Sequence, residues 1–176
     1  MITLAEWHKI MPYAGARIEK YANTLDTAMT EFEINDNVPR QAAFLAQVAH
    51  ESGELRYVRE IASGASYEGR ADLGNEYPGD GVRFAGRGFL QITGRANYTE
   101  CSAALFGDDR LLDHPELLER PVFACRSAGW FWRDYKHLNE LADVGNFQLI
   151  TKRINGGLNG WAARKKYYDR ALEVLS

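Results

Sequence analysis

Apolar residues return at three- and four-residue intervals over most of this chain, a spacing that predicts helices. Ile18, Tyr21, Ala22, Leu25, Ala28, Met29 and Phe32 keep that period and predict a long amphipathic helix from about Ala14 to Glu33. Ahead of it, Thr3-Leu4-Ala5-Glu6 has the form of a capping box and opens a short helix that Pro12 ends. Behind it, Asn37 as cap, Pro39 in the first turn and Ser52-Gly53 as stop predict a helix from about Val38 to Glu51. Leu55 to Ile61 has room for another helical turn or two.

From Ala62 to Gly88 the periodicity lapses, and glycines, Pro78 and the run Glu76-Tyr77-Pro78-Gly79-Asp80-Gly81 predict a loop-rich lobe. Arg83-Phe84-Ala85 and Phe89-Leu90-Gln91-Ile92 are its strand candidates. Helical spacing then resumes. Thr93 can cap a helix from Gly94 to Leu105, Asp113-His114-Pro115-Glu116 opens a short one, and Pro121 starts an apolar helix from Val122 to Asp134. Leu138 to Ala142, Asn146 to Ile154 and Trp161 to Leu175 complete the set. The expected architecture is mainly α, an α+β arrangement in which a two-lobed helical domain carries a small glycine-rich loop/β lobe with a cleft between. No repeat or linker divides residues 1–176, so a single domain is expected.

Composition narrows the class little. An apolar share of 45% and a charged share of 26% are those of an ordinary globular chain. A net charge of -3 without a Lys/Arg block gives no electrostatic footprint for nucleic acid. The N-terminus lacks a basic start followed by an apolar run, and no stretch approaches the roughly 18 apolar residues of a membrane helix, so no membrane insertion is expected. Cys101 and Cys125, with no CxxC pair, read as buried thiols, although one bridge between them stays open.

Chemistry concentrates around Glu51. Phe44, Val48 and Glu51 are spaced four and three apart, which places a carboxylate on the same helical face as two core side chains. Desolvation and the negative end of the helix dipole both disfavour the ionised form there, so the acid is expected to hold its proton more tightly than usual. That is the property a glycosidase needs in the group that protonates a leaving oxygen; the alternative is a glutamate that ends a helix and points to water. A second carboxylate would have to activate water. Glu60 and Glu68 are the candidates, and spacing alone does not choose between them; pairing with an arginine and a solvated loop position are their bland readings. His50-Glu51 lacks the second histidine of an HExxH zinc motif, so no metal or other cofactor is expected and His50 reads as a neighbour that packs or hydrogen-bonds beside the site. Gly86-Arg87-Gly88 lacks the Lys-Ser/Thr ending of a phosphate loop.

Three blocks carry a resemblance: Ala49-His50-Glu51-Ser52-Gly53, the stretch from Gly79 to Tyr98 (GDGVRFAGRGFLQITGRANY), and Ile154-Asn155-Gly156-Gly157. In this order, over roughly 110 residues, they resemble glycoside hydrolase family 19, most closely its bacteriophage endolysins; the plant chitinases of that family carry related blocks. The resemblance implies a lysozyme-like fold, Glu51 as general acid and inversion of configuration. It implies a monomeric endolysin that hydrolyses the β-1,4 bond between N-acetylmuramic acid and N-acetylglucosamine in peptidoglycan. Such an enzyme waits in the host bacterial cytoplasm, reaches the periplasmic wall through holin-made holes, and needs no separate wall-binding module. A chitinase of the same fold and a non-catalytic glycan-binding protein are the alternatives. Glu60 fits the acid-to-second-carboxylate spacing of many phage lysozymes, with Ser66 near their third polar residue, whereas Glu68, followed by Gly69-Arg70, resembles the chitinase base; the resemblance ranks Glu60 slightly ahead and implies that Glu68 lines the cleft. Gln91, Thr93, Asn97, Tyr98 and Asn155 occupy motif positions and are the expected glycan contacts, with His50, Ser66 and Tyr67 beside the substrate as well; Arg87 is expected to hold a carboxylate of either protein or substrate.

Overall fold

The computed structural model describes residues 1–176. Helix α1 (Leu4–Ile10) opens with the predicted capping box: the Thr3 N–H donates to Glu6 Oε2 at 2.7 Å and the Glu6 N–H to Thr3 Oγ1 at 3.3 Å. Helix α2 (Arg17–Glu31) buries the expected stripe of Ile18, Tyr21, Ala22, Leu25, Ala28 and Met29. Helix α3 (Val38–Ser52) begins at Asn37, whose Oδ1 accepts the Arg40 N–H at 2.9 Å, and stops at Gly53 in the left-handed region, φ 58°. Every residue from Ala42 to Ala49 is buried, so α3 is the axis of the core and not a surface helix.

After a loop region come α4 (Asp80–Arg83), α5 (Arg95–Phe106), α6 (Arg110–Asp113) and α7 (Pro121–Trp130). Beyond Trp130 the ladder widens: the Lys136 N–H donates to Phe131 O at 2.9 Å, five residues back, so the predicted helix to Asp134 ends in a π-turn. Helices α8 (Asn139–Asp143), α9 (Phe147–Asn155, capped by Asn146) and α10 (Trp161–Leu175) close the chain. Helix α10 packs along α3, and α7 packs on α2. Trp132, fully buried, meets Phe44 edge-on with centroids 5.4 Å apart and donates its indole N–H to Asn139 Oδ1 at 2.8 Å. Cys101 and Cys125 are free buried thiols; burial pushes both up, Cys101 to about 12.

The loop lobe departs from its predicted detail. Arg83 ends α4, so Arg83-Phe84-Ala85 is not a strand. Pairing is confined to the bridges Arg59↔Arg87 and Arg87↔Ile92, which fold three short segments together without building a sheet. Thr93 does not cap α5; its hydroxyl donates to Gln91 O at 3.2 Å, and Gly94 takes the cap position. Residues 55–61 are not helical, because φ values of 55° at Glu54 and 66° at Leu55 turn the chain out of α3. Local bonds hold that turn: the Leu55 N–H donates to Ser52 Oγ at 2.8 Å, while the buried Glu54 carboxylate accepts the Tyr13 N–H at 2.6 Å and the Tyr167 hydroxyl at 2.7 Å.

The lobe is clasped by Asp80, 2% exposed, which takes both arms of Arg95 at 2.8 and 2.7 Å. Those bonds hold the Asp80 carboxyl below its ordinary value of 3.8. A depressed carboxylate stabilises the fold above its unfolded value, and that contribution is lost as pH falls through the folded one. Asp80→Asn is therefore expected to lower the melting temperature at pH 7 and to flatten the wild-type loss of stability below the ordinary Asp value, both read by thermal unfolding across pH. An unchanged acid profile would refute the clasp.

Candidate active site

The end of α3 delivers His50 and Glu51 to one place. Glu51 is 23% exposed, and its Oε1 meets the Arg164 guanidinium of α10 at 2.6 Å. Arg164 is itself 1% exposed and completes its contacts by donating from Nε to Asn159 O at 3.0 Å and from Nη1 to Gln47 Oε1. The expectation of purely apolar surroundings for Glu51 is thus corrected: its helical face carries core residues, but a buried cation shares the carboxylate. Glu51 Oε2 takes no hydrogen bond from the protein. His50 packs against the turn before α10, where a Cβ at Gly160 would lie 2.4 Å from the imidazole Cε1, so only glycine fits there. Burial, aided by the Arg164 charge and opposed by Glu51, pushes the His50 pKa down, which keeps the ring uncharged at neutral pH. His50 makes no hydrogen bond; it packs.

The turn at Gly53–Leu55 carries the chain onward into a run antiparallel to residues 86–88. There the Glu60 N–H donates to Gly86 O at 3.0 Å, and the Gly88 N–H donates to Val58 O at 2.9 Å. This fixes Glu60, half-buried, beside residues 86–88. Its Oε1 accepts the Gly86 N–H at 2.7 Å and its Oε2 accepts the Tyr67 hydroxyl at 2.9 Å. Burial and the Glu60 carboxylate raise the Tyr67 pKa, so the phenol stays a donor. A Cβ on Gly86 would lie 2.4 Å from Gln91 Oε1 and 3.1 Å from Thr93 Oγ1, so Glu60, Tyr67, Gly86, Gln91 and Thr93 form one polar cluster. Asn97 adjoins it, donating to Thr93 O at 2.7 Å and accepting from the Tyr135 hydroxyl at 2.8 Å. Asn155, at the end of α9, accepts the Asn159 N–H at 3.3 Å beside the Arg164 contact.

The remaining candidates fall elsewhere. Glu68 spends both oxygens on the loop itself, accepting the Gly79 N–H at 2.6 Å and the Gly81 N–H at 2.8 Å. It is a fastener for the 79–81 turn. Arg87 and Tyr98 are buried and bonded to one another at 3.0 Å; Arg87 also donates to Glu119 at 2.8 Å, and Tyr98 to Ala85 O at 2.7 Å. They hold the lobe together from inside, so the expectation that they touch substrate is corrected, and the carboxylate on Arg87 belongs to the protein. Ser66 is exposed and makes no hydrogen bond. The concavity of about 370 Å³ beside Trp7, Leu4 and Ala22 holds none of the candidates.

Sequence reasoning missed Arg164 and Gln47, and it set Tyr67 against the substrate, whereas the structure turns the Tyr67 hydroxyl to Glu60. The first was within reach, since Trp161, Arg164, Tyr168 and Ala171 keep the three-four-three spacing of an inward face and place an arginine among core residues.

The family description chitinase class I, glycoside hydrolase family 19, matches residues 14–144. A protein of Haemophilus influenzae described as a glycosyl hydrolase family 19 domain-containing protein is 32% identical over 205 residues, covering 99% of this chain and 96% of its own. Chitinase 5 of Oryza sativa subsp. japonica is 34% identical over 70% of this chain, which spans only 42% of that longer protein. Among solved structures, a bacterial family 19 chitinase superposes with a TM-score of 0.81 at 25% identity, covering 99% of this chain and 95% of that one. The helical architecture is the lysozyme-like fold of those enzymes.

Proposed function

Because this chain belongs to glycoside hydrolase family 19, we propose that it is an endolysin cutting the β-1,4 bond between N-acetylmuramic acid and N-acetylglucosamine in peptidoglycan. The observation that carries the reading is that two carboxyls, Glu51 at the end of α3 and Glu60 beside residues 86–88, are held in different ways. Glu51 has one oxygen pinned by Arg164 and the other free of protein donors, which suits an acid that offers a proton from a fixed direction. Glu60 has both oxygens positioned by donors, Gly86 N–H and Tyr67 O–H, which suits a base that orients water.

In the proposed reaction the polymer lies between the helical body and the loop lobe. Glu51 Oε2 protonates the bridging oxygen as the glycosidic bond lengthens, and Arg164 stabilises the carboxylate left behind. Water held by Glu60 attacks the anomeric carbon from the opposite face while Glu60 accepts its proton, giving the inverted product. Gln91, Thr93 and Asn97 offer amide and hydroxyl groups to acetamido and hydroxyl groups of the sugars. The cell-wall polymer is favoured by Arg56 of the connecting turn, which is exposed with no carboxylate partner; its neighbour Arg59, 46% exposed, lies 3.9 Å from Glu119. Muramic acid and its peptide bring carboxylates that a chitin chain lacks. The same reading places the enzyme in the host cytoplasm until holes in the inner membrane release it to the wall.

The relatives described as chitinases favour a second reading, hydrolysis of chitin. Purified peptidoglycan and N-acetylglucosamine oligomers, assayed side by side, separate the two. Clearing of peptidoglycan with a sharp fall at raised salt, and little cleavage of the neutral oligomers, is expected. Cleavage of the oligomers alone would overturn the endolysin reading.

A further inference from the structure

We infer that Gln47 and Thr151 are positioning residues for the Glu51 carboxyl, acting on it through Arg164; the inference rests on Glu51 being the acid. The guanidinium of Arg164 is buried, yet its one anionic partner sits at the open edge of the fold, 23% exposed. Its orientation is therefore set from the inner side, by Asn159 O on Nε and Gln47 Oε1 on Nη1. Gln47 lies one turn before Glu51 on α3, so the guanidinium spans two side chains of the same helical face.

Arg164 has donors only, so it takes the oxygen end of the Gln47 amide, and Thr151 holds the nitrogen end. The Thr151 hydroxyl donates to Phe147 O at 3.1 Å, one turn back in α9, which uses its only hydrogen. Its lone pairs are left to accept Gln47 Nε2 at 2.9 Å. With its nitrogen end held there, the Gln47 amide keeps its oxygen in one place on Arg164. The reverse amide would set N–H against N–H in a site with no exposure at either Gln47 or Thr151, an arrangement that costs a buried hydrogen bond on both sides. Each link is directional, so α9, α3 and α10 together fix the angle from which Nη2 grips Glu51 Oε1. Filling space at these positions needs no such order; aiming a carboxyl does.

Thr151→Val keeps the shape but removes the acceptor of the Gln47 N–H, so the amide is anchored only through Arg164 and can shift. On purified peptidoglycan it should lower kcat by about 10- to 100-fold while KM stays within about twofold, the signature of a reacting group misplaced by a fraction of an ångström. Thr151→Ser, which restores the donor and acceptor, should return kcat to near wild type. A valine variant with wild-type kcat and only a lowered melting temperature would overturn the inference and leave Thr151 a packing residue. Gln47→Met, which keeps the length of the side chain, should show the same split if the valine variant does not fold, and unchanged kcat there would overturn it equally. If neither variant folds, NMR contacts of the Gln47 amide protons in the wild-type protein decide: contacts to Thr151 are required, and contacts to the Arg164 guanidinium overturn the relay. Glu51→Gln measured in parallel separates this inference from the reading beneath it. An inactive Glu51 variant beside a normal Thr151→Val sinks the relay alone, whereas an active one sinks the acid assignment.

Discussion

Glu51→Gln should lower turnover of peptidoglycan by at least about 100-fold, the low end for a missing general acid, with little change in KM. The substitution keeps size and polarity. The amide oxygen can still accept from Arg164, so the end of α3 and the packing of α10 against it should persist, and circular dichroism should be that of the wild type. What the variant lacks is a transferable proton at the position of Oε2, which takes no hydrogen bond from the protein. A glycosidic oxygen leaves poorly as an alkoxide, so the loss falls on the chemical step. Wild-type lysis by this variant would show that Glu51 is a helix-end glutamate paired with an arginine and nothing more.

Glu60→Gln should cost about 100-fold or more by a different route, since the amide cannot take a proton from water. Its two donors make the contrast with Glu68 sharp. Glu60 sits among Tyr67, Gly86, Gln91 and Thr93, where its oxygens are aimed by a phenol and a backbone N–H. Glu68 is consumed by the N–H groups of Gly79 and Gly81. Glu68→Gln replaces one acceptor by a donor facing an N–H on an exposed loop, so it should lower stability by about 0.5–1.5 kcal/mol and leave kcat within a few-fold of wild type. Steady-state kinetics of the two variants, with melting curves alongside, give the ranking. A severe loss of kcat in the Glu68 variant with Glu60→Gln near wild type would reverse the assignment.

Much of this was readable in the order of residues because it depends on local rules. Asn37, Pro39 and Gly53 mark α3 by capping and backbone geometry, and the helical period of α2 and α10 names their buried faces. The placement of Glu51 beside the core follows from the same arithmetic. The loop lobe was less legible, because its structure is held by contacts between distant residues and not by periodicity. Asp80 with Arg95, Glu68 with the 79–81 turn, and Arg87 with Glu119 each use a charged side chain as a tie, and sequence gives no sign of which arginine meets which carboxylate. Tyr98 and Arg87 lie in a motif that reads as glycan-binding, yet both are buried ties. Arg164 shows the opposite case. It lies more than 100 positions from Glu51 in sequence, and only the packing of α10 along α3 brings it to the carboxyl, although its inward register on α10 was visible.

The division of labour between the two glutamates is tested most directly by changing the leaving group. On a β-aryl glycoside of the peptidoglycan disaccharide bearing dinitrophenolate, departure needs no proton. The account predicts that the deficit of Glu51→Gln shrinks from about 100-fold or more on the polymer to less than about tenfold on the aryl substrate, while that of Glu60→Gln remains. Equal deficits of the Glu51 variant on both substrates would contradict it.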